Sequence, residues 1–96
     1  MPDASELKIY LNTLNPNVMA MSWGPQGDWC KVHGDAKSFT GGAFRMRSMF
    51  GSDGLYHVKV IGSDGNTVIG PVTVSGDPPT ASAAVEAVKA ALSAAV

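Results

Sequence analysis

The most regular pattern of polar and apolar positions runs from Gly54 to Gly76, GLYHVKVIGSDGNTVIGPVTVSG. Tyr56, Val58 and Val60 alternate with His57 and Lys59, the period of two that a strand with one buried face requires. The segment GSDGN supplies residues that tolerate positive φ, and Thr67 opens a return strand, so the stretch predicts a β-hairpin. Gly70-Pro71 interrupts that second strand. Proline donates no ladder hydrogen bond, which puts the strand at a sheet edge or bends it before Val72 and Val74.

After Gly76 the period becomes helical. Asp77 or Thr80 can cap a helix whose first turn tolerates Pro78 and Pro79 and which runs nearly to Val96. Ala81, Val85, Val88 and Leu92 fall on one side, with Ala84, Ala91 and Ala95 flanking them, while Ser82, Glu86, Lys89 and Ser93 fall opposite. Such a small-residue face predicts a helix lying close against a sheet.

Upstream, AFRMRSMF places Phe44, Met46, Ser48 and Phe50 on one face of a strand and Arg45, Arg47 and Met49 on the other. This strand has an apolar side and a cationic side. Gly51-Ser52-Asp53-Gly54 turns it into the hairpin, and Trp29 to His33 reads as another short strand between the turn cluster Gly24 to Asp28 and a long polar loop, Gly34 to Gly42. Ser5 to Leu14 admits two readings. Leu7, Ile9 and Leu11 alternate with Lys8, Tyr10 and Asn12 as in a strand; alternatively Asp3 caps a helix, Glu6 completes a capping box, and Leu7, Leu11 and Leu14 form its stripe. The strand is preferred, because Asn12, Thr13, Asn15 and Asn17 are poor helix formers that suit a hairpin turn around Pro16, with Val18 to Trp23 returning. The expected architecture is a single α+β domain over residues 1–96, an antiparallel sheet of about five or six short strands with one carboxy-terminal helix packed on it.

Composition fits this picture: 96 residues, 45% hydrophobic and 16% charged, suffice for one ordered domain. The formal net charge of −1 argues against both the strongly basic balance of bulk nucleic-acid binders and the strongly acidic balance of DNA mimics. Cys30 is the single cysteine, so no internal disulfide forms; no signal-peptide pattern and no apolar run of the roughly 18 residues needed for a membrane span is present. A cytoplasmic location is expected, that of a host cell if the chain is phage-encoded.

Candidate chemistry is sparse. Cys30 and His33 have a C-x-x-H spacing that can begin a zinc site, with His57 as a third ligand, but structural zinc takes four protein ligands and positions 30 and 33 of a strand point to opposite faces. A nucleophilic site built from Cys30 or a serine, a histidine and Asp28 or Asp35 has no support in spacing alone. No phosphate-cradling glycine motif follows a strand, and the acidic residues are scattered among turns and helix ends. The expectation is a non-enzymatic chain without metal or cofactor, and without a small-molecule ligand. What remains is Lys37, Arg45 and Arg47 with the aromatics Trp23, Trp29, Phe39 and Phe44. Arginine and tryptophan are enriched where proteins grip other proteins, and basic and aromatic residues on a sheet equally suit stacked single-stranded bases.

The pattern G-x-Y-x-V-x-V…DG…V-x-G…GDP…A-x-A…A is carried by Gly54, Tyr56, Val58, Val60, Asp64, Gly65, Val68, Gly70, Gly76, Asp77, Pro78, Ala81, Ala83 and Ala87. It resembles the strand–strand–helix unit of small phage-encoded anti-CRISPR proteins of the type I systems, over less than half of the chain. That resemblance implies a non-enzymatic inhibitor that binds a CRISPR surveillance complex or its nuclease, and it carries over no binding residues. The same pattern is similar to the amino-terminal DNA-binding domains of phage integrases, which implies reading of DNA by a sheet; the sequence departs from these in lacking a dense basic sheet face. The expected function is stoichiometric binding of a host protein or ribonucleoprotein, with Arg45, Arg47 and Lys37 meeting anionic groups and Trp23 or Trp29 as apolar anchor. A nucleic-acid-binding module and a phage structural or assembly component are the alternatives.

Overall fold

The computed structural model describes residues 4–34 and 44–95. Two α-helices, α1 (Ala4–Thr13) and α2 (Ala81–Ala95), enclose a run of four strands: β1 (Cys30–Lys31), β2 (Arg45–Phe50), β3 (Tyr56–Ile61) and β4 (Thr67–Val74). The strands form one antiparallel meander in the order β1-β2-β3-β4, so the short β1 and the proline-bearing β4 are its edges. The α+β class and the carboxy-terminal helix agree with the sequence reading. The strand count and the amino-terminal element do not: the described sheet has four strands rather than five or six, and of the predicted strand Ser5 to Leu14 all but Leu14 is helical.

The reason lies at Tyr10. Leu7, Tyr10, Leu11 and Leu14 are all buried, the i, i+3, i+4, i+7 stripe of a helix, whereas Ile9, which a strand would place beside Leu7 and Leu11, is 54% exposed. Counting Tyr10 as a polar position hides that stripe. Asn12 and Thr13 sit at the end of α1, where poor helix formers cost little, and the Thr13 hydroxyl donates to the Tyr10 carbonyl (2.6 Å). Val18 to Trp23 is not a returning strand either. Pro16–Val18 forms a 3-10 turn capped by the Asn15 side chain, which accepts from the Asn17 amide, and beyond it the chain makes an isolated bridge between Ala20 and His33. The predicted strand from Trp29 to His33 shrinks to β1 plus that bridge. Asp3 and residues 35–43, which hold nearly all of the predicted polar loop, lie outside the described residues.

The core is built on one face of the sheet. Phe44, Met46, Val58, Val60 and Val74 meet Ala84, Val85 and Val88 of α2, while Leu7, Tyr10 and Leu11 of α1 close the cluster, with the Tyr10 and Phe44 rings 5.4 Å apart. Among the described residues Ser48 is the one buried polar side chain, and its hydroxyl donates to the Ser22 carbonyl at 2.9 Å, which satisfies the group and ties the segment before Trp23 to the sheet. The hairpin turns as expected: Gly65 takes positive φ, and both Asp64 carboxylate oxygens accept from Asn66. Gly70 and Pro71 stand together opposite Lys59, so β4 both lies at the edge and bulges there. Gly70 has φ +94°, and a Cβ on it would come within 2.9 Å of the Val58 carbonyl oxygen, which excludes larger residues.

Helix α2 begins one residue after Thr80, whose hydroxyl accepts from the Ala83 amide (3.1 Å); Thr80, not Asp77, is the cap, and Pro78 and Pro79 precede the helix rather than entering its first turn. Replacing Thr80 with alanine is expected to cost about 1 kcal/mol of unfolding free energy. Leu11→Ala should cost about 2–5 kcal/mol, and Ile9→Ala less than about 0.5 kcal/mol. Urea unfolding of the three variants checks these values; equal losses at positions 9 and 11 would speak for a strand.

Candidate functional site

Burial of one face of β2 and β3 fixes what the other face presents. Arg47 pairs in register with Lys31 on one side and Lys59 on the other, so three cations stand in a row across β1, β2 and β3. Arg45, two residues along β2 and opposite Ile61, adds a fourth. All four residues are half-buried, and among the described residues none pairs with a carboxylate. The neighbouring row is Met49, His57 and Thr73, one from each of β2, β3 and β4. Trp29, one residue before β1, is also half-buried, and the Lys59 ammonium sits 4.3 Å from its ring centroid. No described helix packs on this face.

Of the residues expected to act together, the structure unites Arg45, Arg47 and Trp29 and separates Trp23. Trp23 lies on the helix-bearing side, packed against the core and edge-on to Tyr56 at 5.2 Å, with Phe50 4.9 Å from Tyr56 in turn. It anchors the chain there rather than serving the cationic face. Phe44 is core, and Lys37 and Phe39 lie outside the described residues. Lys31 and Lys59 are the members that the sequence reading leaves out. A signal for Lys59 was present: a turn centred on Asp53 pairs Phe50 with Tyr56, and counting back along both strands pairs Arg47 with Lys59.

A second polar group borders the face. The His57 Nε2 lies 3.1 and 3.0 Å from the two Asp53 oxygens, and its Nδ1 lies 3.4 Å from the Thr73 hydroxyl, at the long limit of a hydrogen bond. With Nε2–H donating to the carboxylate, Nδ1 of a neutral ring is left to accept from Thr73. Asp53 also accepts from the Leu55 amide at 2.9 Å, and this bond first and the His57 imidazole second hold its carboxyl below the ordinary 3.8. The group therefore ties the β2–β3 turn to β4 through one ring. At Tyr56, partial burial first and the Asp77 carboxylate second push the phenol above its ordinary 10.0; its hydroxyl donates to Asp77 at 3.3 Å.

The other sequence candidates are scattered. Among the described residues no three of His, Cys, Asp and Glu gather as a metal site. Cys30 lies in register with buried Ser48, with its thiol 3.9 Å from the Asp28 carbonyl; His33 bridges to Ala20; His57 belongs to the opposite face. A groove of about 400 Å³ runs between α1 and α2 over Leu11 and Leu92, with Lys8 and Lys89 among its walls and none of the predicted site residues. No helix of the described residues is long and apolar enough to cross a membrane. Comparison with protein-family models, with curated proteins and with solved structures returned no match.

Because the folded carboxyl of Asp53 is more acidic than its unfolded value, its contribution to stability is complete above the ordinary 3.8 and is lost as pH falls through the lowered value. Asp53→Asn should therefore melt below the wild type around pH 6 and converge with it near about pH 2 in thermal unfolding. A gap that persists unchanged at the acid end would show that the carboxylate's charge plays no part.

Proposed function

We propose that the protein is a non-enzymatic binding protein which engages an anionic macromolecular partner, a protein or ribonucleoprotein complex of a host, through the helix-free face of its sheet. The observation that carries this reading is the row Lys31, Arg47 and Lys59 with Arg45 beside it, uncompensated by any carboxylate among the described residues. Like charges directly opposite one another on paired strands disfavour the fold, so an alignment of this kind is relieved when an anionic surface docks on it. Guanidinium groups suit such docking, since each presents a planar fork of donors that matches carboxylate or phosphate oxygens in pairs.

The resemblance to type I anti-CRISPR proteins supplies the sharpest form of the proposal: a phage-encoded chain that occupies a surface of a CRISPR surveillance complex or its nuclease and blocks recruitment. The matched positions lie on the hairpin, the connections flanking it and α2; Lys31, Arg45 and Arg47 stand outside that stretch, and Lys59 lies within it at an unmatched position. Recognition then lies with side chains that the resemblance does not reach.

Affinity capture from a host lysate tests the reading. The wild-type chain should retain a partner stoichiometrically, and Arg45→Glu/Arg47→Glu should lose it while keeping the wild-type far-ultraviolet circular dichroism. Retention of the same partner by the folded double variant would rule this face out as the binding surface.

A further inference from the structure

We propose that the helix-free sheet face binds single-stranded nucleic acid, with phosphates along the row Lys31, Arg47 and Lys59 and at Arg45, and a base stacked on Trp29. This rests on the reading of the face as an anion-binding surface and goes further by naming the anion. Two neighbouring rows of different chemistry carry it. The cationic row crosses three strands, a width of about 10 Å at the usual strand spacing. The next row along the strands, about 7 Å away, is Met49, His57 and Thr73, with Trp29 at the β1 margin. One row offers charge and the other, from Trp29 through Met49 to His57, soft, flat or polarisable side chains.

An extended single strand has the same division, a charged backbone along one side and exposed base faces along the other. An acidic protein segment would satisfy the cations and leave the second row without a counterpart. A duplex presents phosphates but keeps its base faces stacked on each other, so Trp29 would have nothing to stack with. The contact between Lys59 and Trp29 fits the exchange: the ammonium rests over the indole at 4.3 Å in the free protein, and moving to a phosphate uncovers the ring for a base.

Fluorescence anisotropy of the full chain with end-labelled oligo-dT and oligo-rU of about 12 nucleotides tests the assignment. A duplex of equal length and poly-L-glutamate serve as comparison probes. Single strands should bind saturably and more tightly than either comparison probe, and three or four neutralised phosphates should make the affinity fall about 20- to 50-fold between 50 and 200 mM salt. Arg47→Gln should weaken binding and flatten the salt slope by about 0.7. Trp29→Ala should weaken it roughly 5- to 150-fold at unchanged slope, with Trp29→Phe restoring most of the loss. Should Trp29→Ala fail to fold, Trp29→Phe and the Arg47→Gln slope still decide. Equal binding of duplex and single strand, or a slope indifferent to Arg47→Gln, overturns the proposal. Binding of poly-L-glutamate but not of the oligonucleotides overturns it while sparing the broader anion-binding reading; binding of none of the probes overturns it and leaves the broader reading to the capture experiment.

Discussion

The structure depends on one constraint: a period of two on β2 and β3, with one of the two faces buried under helices. Met46, Ser48, Val58 and Val60 are wholly enclosed, and their positions in the ladder leave Arg45, Arg47, His57 and Lys59 no place but the opposite face. A slip of one residue in the pairing would carry charged side chains under α2 and valines into water, a large penalty for a chain of this size. Burial on one side thus acts as the positioning device for charge on the other. The cations are placed by the register of hydrogen-bonded strands, not by loops, and so share the rigidity of the core.

Each border of the sheet has its own fastening. Ser48 reaches across to the Ser22 carbonyl and holds the segment between α1 and β1 against the core side, where Trp23, Tyr56 and Phe50 form a ring cluster. On the other face His57 joins the Asp53 turn to Thr73 of β4. At β4 the bulge of Gly70 and Pro71 and the missing proline amide interrupt the outermost ladder, which makes that edge a poor template for another strand. An edge of that kind offers little for strand addition.

The sequence displayed the parts governed by short-range rules. The hairpin follows from GSDGN and alternating valines, α2 from its apolar stripe, and the two-sided character of β2 from parity alone. The readings that failed turned on competition between periods. Over Leu7 to Leu14, three alternating residues compete with a four-residue helical stripe, and the decision rests on whether Tyr10 counts as apolar; buried to 0% exposure, it does. Val18 to Trp23 lacks a ladder because its partners are a side-chain hydroxyl and a single bridge, contacts that no local pattern encodes. Lys31 enters the cationic row only through pairing across strands distant in sequence, and Trp23 leaves it because the chain brings that residue to the other side of the sheet.

Net charge is a sum that hides its own distribution. The chain carries seven Lys and Arg against eight Asp and Glu, a balance that argues against polyanion binding when spread evenly. It is not spread evenly. Lys31, Arg45, Arg47 and Lys59 share one face, while Asp28, Asp53, Asp64 and Asp77 sit in turns and connections and Glu6 and Glu86 on the helices. Salt screens exposed charges beyond a Debye length of about 8–10 Å, so a ligand on the sheet responds to the cations beneath it far more than to carboxylates on the far side. The quantity relevant to any docking there is therefore the local sum of charge over the face, and among the described residues the border carboxylate Asp53 is already engaged by His57 and the Leu55 amide.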